Sequence, residues 1–200
     1  MTRLRRFYAL LLPIMGALSL SACGINSVPA AEEEAKAKWA DVQAQYQRRA
    51  NLTGNLVATV KAAGKQEQET LTRVTEARAK ATSIQINAED LSDPAKVAQY
   101  QAAQAQLSQG LGRLLASVEA YPDLKTNENF LQLQSQLEGT ENRIAVAIRD
   151  YNGAVQAYNT RIRTFPDAIG AKLIHGAKPM APFQATTPGA EEAPKVDFGN

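Results

Sequence analysis

Residues 128–163, ENFLQLQSQLEGTENRIAVAIRDYNGAVQAYNTRIR, run for thirty-six positions without a proline. At 1.5 Å per residue this predicts one helix about 54 Å long. Phe130, Leu133, Leu137, Ile144, Ile148, Tyr151, Val155, Tyr158 and Ile162 recur every three or four residues and form one apolar seam, broken only by a gap spanning Thr140. A seam of that length has to be covered by other helices, so the rest of the chain is read for partners.

Three partners are visible. From Pro29 a first helix is expected, with Glu32, Glu33 and Glu34 favouring its N-terminal dipole and a seam of Trp39, Val42, Tyr46, Arg49, Thr53, Leu56, Val60 and Ala63. Arg49 and Thr53 interrupt that stripe. Gly54 beside them costs about 1 kcal/mol relative to alanine, which predicts a bend or break at 51–55. Gly64 ends the helix, and a second is expected over 66–84 with Leu71, Val74, Ala77, Ala81 and Ile84 inward. A third starts at Asp93-Pro94, because the Asp side chain caps free N–H groups and proline loses no bond at the first helical position. Its seam is Val97, Tyr100, Gln104, Leu107, Leu111, Leu114 and Val118, and Pro122 stops it near Tyr121. Thr126 or Asn127 can then cap the long helix.

After Arg163 five prolines are scattered among glycines, which predicts an extended tail onto which Phe165, Ile169, Leu173 and Phe183 dock, with 185–200 mostly disordered. The expected fold is all-α: an antiparallel four-helix bundle with long first and last helices, coiled-coil-like seams and an extended C-terminal tail. The boundaries are 1–22 for a signal peptide, 23–30 for a linker, 31–175 for the bundle and 176–200 for the tail.

The signal is read from Arg3, Arg5 and Arg6 followed by an apolar run that closes on Leu20-Ser21-Ala22-Cys23. The last four residues resemble the bacterial lipobox, whose cysteine is lipidated and becomes the mature N-terminus. The competing reading, a membrane-spanning helix, is disfavoured because residues 7–22 contain Pro13 and Gly16 and fall short of the roughly 20 needed. Cys23 is the only cysteine, which excludes an internal disulfide. Several acyl chains, at about 0.8 kcal/mol per buried methylene, would anchor the chain stably. Removing residues 1–22 takes away three arginines and no acid, leaving 19 Lys+Arg against 20 Asp+Glu, a net charge of −1. Nucleic acid, which demands clustered positive charge, is therefore not an expected partner.

The motifs resemble those of the LemA family. Trp39-Ala40-Asp41-Val42, Gln47-Arg48-Arg49-Ala50-Asn51-Leu52 and Asn55-Leu56-Val57-Ala58-Thr59-Val60-Lys61 carry the likeness in the first helix. Glu119-Ala120-Tyr121-Pro122-Asp123-Leu124-Lys125, Thr140-Glu141-Asn142-Arg143-Ile144, Arg149-Asp150-Tyr151-Asn152 and Tyr158-Asn159 extend it, and Ala193-Pro194-Lys195-Val196-Asp197-Phe198 is similar to the family's ending. The resemblance implies a four-helix bundle tethered at its N-terminus to a bacterial membrane, outside the cytoplasm, with no established catalysis. One departure is Gly54, where the family often has proline; many relatives use a transmembrane anchor, so the lipobox places this chain in a lipoprotein subset. In a host with two membranes, Gly24 after the cysteine favours the periplasmic face of the outer one.

The candidate polar cluster or partner-binding set is Arg48, Arg49, Asn55, Glu119, Glu138, Glu141, Asn142, Arg143, Tyr151, Asn152, Tyr158 and Asn159. The two Tyr-Asn pairs lie two helical turns apart and either present a hydrogen-bonding edge or sit in the core and fix register. Arg49 is expected to meet a facing carboxylate such as Glu119 or Glu141. A di-iron bundle site needs two Glu-x-x-His motifs, and the single histidine, His175, stands in the exit from the bundle, so no metal, cofactor or catalytic residue is expected. The leading expectation is a non-enzymatic, lipid-anchored scaffold or adaptor for another envelope protein. The alternatives are an enzyme or accessory subunit acting on envelope material, and a self-associating structural lipoprotein.

Overall fold

The described residues form six α-helices: α1 (Thr2–Ala62), α2 (Gln68–Ser83), α3 (Pro94–Val118), α4 (Pro122–Lys125), α5 (Glu128–Arg161) and α6 (Asp167–Gly170), with proline at the first position of α3 and α4. A 3₁₀ turn at Ala88–Ser92 precedes α3, and a π-helical turn at Ala171–His175 follows α6. The computed structural model describes residues 2–63, 68–118 and 120–184, with side chains from residue 26 onward, and it is all-α there. The expected readings at Gly64, Glu119, the Cys23 side chain and 185–200 lie outside the described residues.

The chain divides into two compact units. One comprises Met1–Gln45, Ala88–Pro94 and Asn142–Pro182; the other comprises Tyr46–Asn87, Ala95–Glu141 and Phe183–Asn200. In the first unit, α1 contributes Val28, Ala35, Trp39 and Val42 to the core and α5 contributes Ile144, Ala147, Tyr151, Val155 and Tyr158. Ser27 meets Arg161 and Trp39 meets Tyr151, so the two segments run antiparallel. In the second unit, Leu56 and Val60 of α1, Leu71 and Val74 of α2, Leu107, Leu111 and Leu114 of α3, and Phe130 and Leu137 of α5 share one core cluster.

Several local expectations hold. All seven seam residues of α3 are buried, and the helix begins at Pro94. Asn127 caps α5, its Oδ1 accepting from the Phe130 N–H at 3.1 Å. Thr140 fills the gap in the α5 seam: it is buried, and its hydroxyl donates to the Gln136 carbonyl at 2.7 Å, so a polar side chain occupies an apolar position at no cost in unpaired groups.

Other expectations are corrected. Helix α1 does not start at Pro29 but passes through it. Nor does it break at 51–55. Gly54 is there because Arg78 of α2 reaches across it: the Arg78 Nε donates to the Ala50 carbonyl at 2.6 Å, and a Cβ on residue 54 would lie 3.3 Å from the guanidinium. The glycine is a seat for a side chain rather than a hinge. Ala63 faces solvent, α2 begins at Gln68 and stops before Ile84, and α5 ends at Arg161. Phe165, Ile169 and Leu173 do not dock; they are 75%, 52% and 78% exposed. Phe183 is buried as expected, and Met180 and Ala181 join it among the buried residues. Gly176 takes φ +56, a left-handed conformation that ends the π turn and turns the chain into an extended segment.

Candidate functional site

Arg49 occupies a seam position of α1 and is 1% exposed. A guanidinium so deeply placed has to be paired, and here three side chains on α3 and α5 hold it. Its Nη1 donates to the Ser108 hydroxyl at 2.6 Å and to Glu141 Oε1 at 3.1 Å. Its Nη2 donates to the main-chain carbonyl and side-chain oxygen of Gln104, at 3.0 and 2.7 Å. Gln104 in turn donates from its amide nitrogen to the Ala81 carbonyl at 3.1 Å, which extends the network to α2. The guanidinium carbon sits 4.8 Å from the centre of the Tyr46 ring, a cation–π distance. Tyr46 also packs edge-on against Tyr100 at 5.7 Å. Burial pushes the Tyr46 hydroxyl up to about 12, with Arg49 opposing and Glu141 reinforcing the shift, and burial pushes Tyr100 up as well. Both phenols therefore stay protonated at neutral pH and have no tendency to act as bases. Of the two carboxylates expected to meet Arg49, Glu141 does so, and it remains half exposed.

The other polar constellation lies in the first unit. Pro179 and Pro182 keep residues 178–182 extended, and α5 grips this strap. The Tyr158 hydroxyl donates to the Lys178 carbonyl at 3.0 Å. Asn159 makes a matched pair with Met180: its Nδ2 donates to the Met180 carbonyl at 2.8 Å, and its Oδ1 accepts from the Met180 N–H at 2.9 Å. The Tyr151 hydroxyl donates to the Ala181 carbonyl at 2.9 Å, and the Ala181 N–H donates to the Leu91 carbonyl at 2.8 Å. Burial raises both tyrosine hydroxyls above the ordinary phenol range, so they remain donors to those carbonyls. Three of the four residues of the Tyr-Asn edge, Tyr151, Tyr158 and Asn159, are thus spent on the chain's own backbone.

The remaining candidates do not converge. Arg48, Asn55, Glu138, Asn142 and Arg143 are exposed, and Asn152 is half-buried. Glu138 accepts from the Gln134 side chain at 3.1 Å within its own helix. Two separate sets thus replace the single expected cluster: Arg49 with Glu141, and Tyr151 with Tyr158 and Asn159. Sequence reasoning missed Ser108 as a partner of the first set and residues 178–181 as the partner of the second. Gln104 carried a usable signal, since an amide in an otherwise apolar seam calls for a polar group opposite.

An open cleft of about 410 Å³ in the first unit is lined by residues that include Glu32, Lys36, Glu89, Asp93, His175 and Lys178. Lys36 bonds to Glu33 at 2.8 Å and Glu32 at 2.9 Å, and the side-chain bonds to Glu33 and then Glu32 hold its ammonium above the usual lysine range. It is a fixed cation, not a nucleophilic amine. Among the described residues, no group of three or more His, Cys, Asp or Glu side chains is placed to hold a metal ion.

The LemA family model matches residues 38–198, which include the buried arginine and the tyrosine–asparagine grip. The chain belongs to the LemA family. It is similar to Protein LemA of Metamycoplasma hominis, 31% identical over 108 residues that make up 54% of this chain and 45% of that protein. It is also similar to Magnetosome protein MamQ 2 of Paramagnetospirillum magneticum, 27% identical over 157 residues, 70% of this chain and 58% of the relative. Magnetosome protein MamQ of Magnetospirillum gryphiswaldense is 26% identical over 150 residues, 67% and 55%. The LemA-family chain spans about half the length of the curated relatives it matches.

Proposed function

We propose that this LemA-family chain is a lipid-tethered, non-enzymatic protein of the bacterial envelope that works as a scaffold or adaptor for another envelope protein. The observation that carries the reading is where its polar groups go. Arg49 through both Nη atoms, Gln104, Tyr151, Tyr158 and Asn159 are bonded to the chain's own backbone and side chains, and the phenols and Lys36 are shifted away from the forms that move protons at neutral pH. The names of its relatives, a LemA protein and magnetosome proteins, denote no reaction. Anchoring rests on Leu20-Ser21-Ala22-Cys23, with acylation at Cys23 and the helical body outside the cytoplasm. In a host with two membranes the outer one is the expected site. Among the described residues no helix is long and apolar enough to cross a membrane. The four longer helices are read as an antiparallel four-helix bundle, a reading supported by the opposed directions of α1 and α5 and by the core that α1, α2, α3 and α5 share.

Crosslinking in native membranes followed by pull-down of the acylated chain tests the adaptor role. One envelope protein enriched in repeated captures is the expected result. Recovery of only further copies of the chain would replace it with self-association. The anchor is tested separately: Cys23→Ser is expected to remain unprocessed and to lack the added acyl mass.

A further inference from the structure

The segment that follows α5 exposes four large apolar side chains within ten residues: Phe165, Ile169, Leu173 and Ile174, the last 59% exposed. Single exposed apolar residues are ordinary, but a run of this density on the surface marks a contact. The run and its flanks are basic in sequence: Arg161, Arg163 and Lys172 stand in and beside it against one acid, Asp167, although the chain without residues 1–22 carries a net charge of −1. Lys178, just beyond, shares a cleft with Glu32, Glu89 and Asp93. Basic side chains around an aromatic and aliphatic face are the composition of segments that lie in the interface of an anionic bilayer.

The position agrees with the composition. Arg161 Nη1 donates to the Ser27 carbonyl at 3.3 Å, so the end of α5 is fastened to α1 where the apolar run begins. Cys23 lies four residues before Ser27 in the same helix, about 6 Å along its axis. The exposed run therefore leaves the first unit at the end that carries the lipid.

We infer that Phe165, Ile169, Leu173 and Ile174, with their flanking arginines and lysines, form a second membrane contact that seats the first unit on an anionic lipid surface beside the acyl anchor. This rests on the anchored reading above and deepens it: one acylated residue would leave the body free to swivel, and a second contact fixes which face meets the bilayer.

The test uses the acylated chain purified from membranes and reconstituted into vesicles containing phosphatidylglycerol. With Cys23 acylated, Leu173→Cys, Phe165→Cys or, as control, Gln132→Cys supplies the one free thiol for an environment-sensitive fluorophore; all three positions are exposed, so the fold tolerates the label. The expected result is a blue-shifted emission at 165 and 173, quenched by lipids brominated high in the acyl chains, with water-like emission at 132. Exchange of phosphatidylglycerol for phosphatidylcholine is expected to weaken the shift. Water-like emission at 165 and 173 overturns the inference. Blue-shifted emission that brominated lipids do not quench also overturns it, since the cover is then protein, a second copy or residues of the chain's own tail. Equal quenching in both lipids overturns the anionic part. Mass spectrometry of the same sample reads the anchor independently, because a chain lacking acylation takes a second label at Cys23.

Discussion

The second unit is organised around a buried charge, and the first around neutral hydrogen bonds to a strap. Arg49 has partners on α3 and α5, and losing the Gln104 bonds leaves a charged guanidinium buried with its Nη2 donors unmade. Tyr151, Tyr158 and Asn159 instead hold main-chain atoms at 178–181 through uncharged bonds, so a lost bond there strands a neutral group and no charge. The lesson is one of vulnerability: polar groups of similar number give a brittle joint when charged and a more yielding one when neutral.

The largest test of that contrast is Arg49→Ala, expected to cost about 3–5 kcal/mol in urea unfolding because Gln104 and Ser108 lose their partner and a cavity opens. A loss under about 1 kcal/mol would erase the distinction. Next comes alkaline pH. A phenol whose folded pKa lies above its unfolded value of 10 stabilises the fold fully below pH 10, and that contribution is lost as pH rises through the folded value. Tyr46, pushed up to about 12, should add a downward slope between pH 10 and 12 of up to about 1.4 kcal/mol per pH unit. Melting curves of Tyr46→Phe should lack that increment.

Asn159→Ala removes two bonds to Met180 and is expected to cost about 1–2 kcal/mol. Its diagnostic sign is local: the Met180 amide should exchange far faster with little change at α3, whereas uniform acceleration would make the strap as brittle as the arginine joint. Smallest is Glu141→Gln. Because that carboxylate is half exposed, the change should cost about 1 kcal/mol, and the difference from the wild type should shrink with added salt.

What the sequence made legible was what periodicity can carry. The α3 seam is strictly spaced and entirely buried, and Asn127 caps α5 by local chemistry alone. The Arg49–Glu141 pair was also within reach, since a charge in an apolar stripe demands a partner. Gly54 was misread because helix propensity is local, whereas the reason for the glycine is a side chain arriving from α2. Phe165, Ile169 and Leu173 were expected to be covered because apolar residues usually are, a rule that describes chains complete in themselves. The strap escaped notice because its bonds use backbone atoms, which every residue possesses and no motif records.

That last property has its own consequence. Tyr151, Tyr158 and Asn159 hold carbonyls and one amide of the strap, never a strap side chain. The latch reads shape and is blind to spelling. Exposed positions such as Lys178 can therefore change without loosening it, provided the backbone stays extended and residue 180 keeps its N–H. A foreign peptide that copies this trace, with an apolar residue at 180 and a small one at 181 to keep the burial there, could be spliced in at 178–181 and displayed on the same helix face.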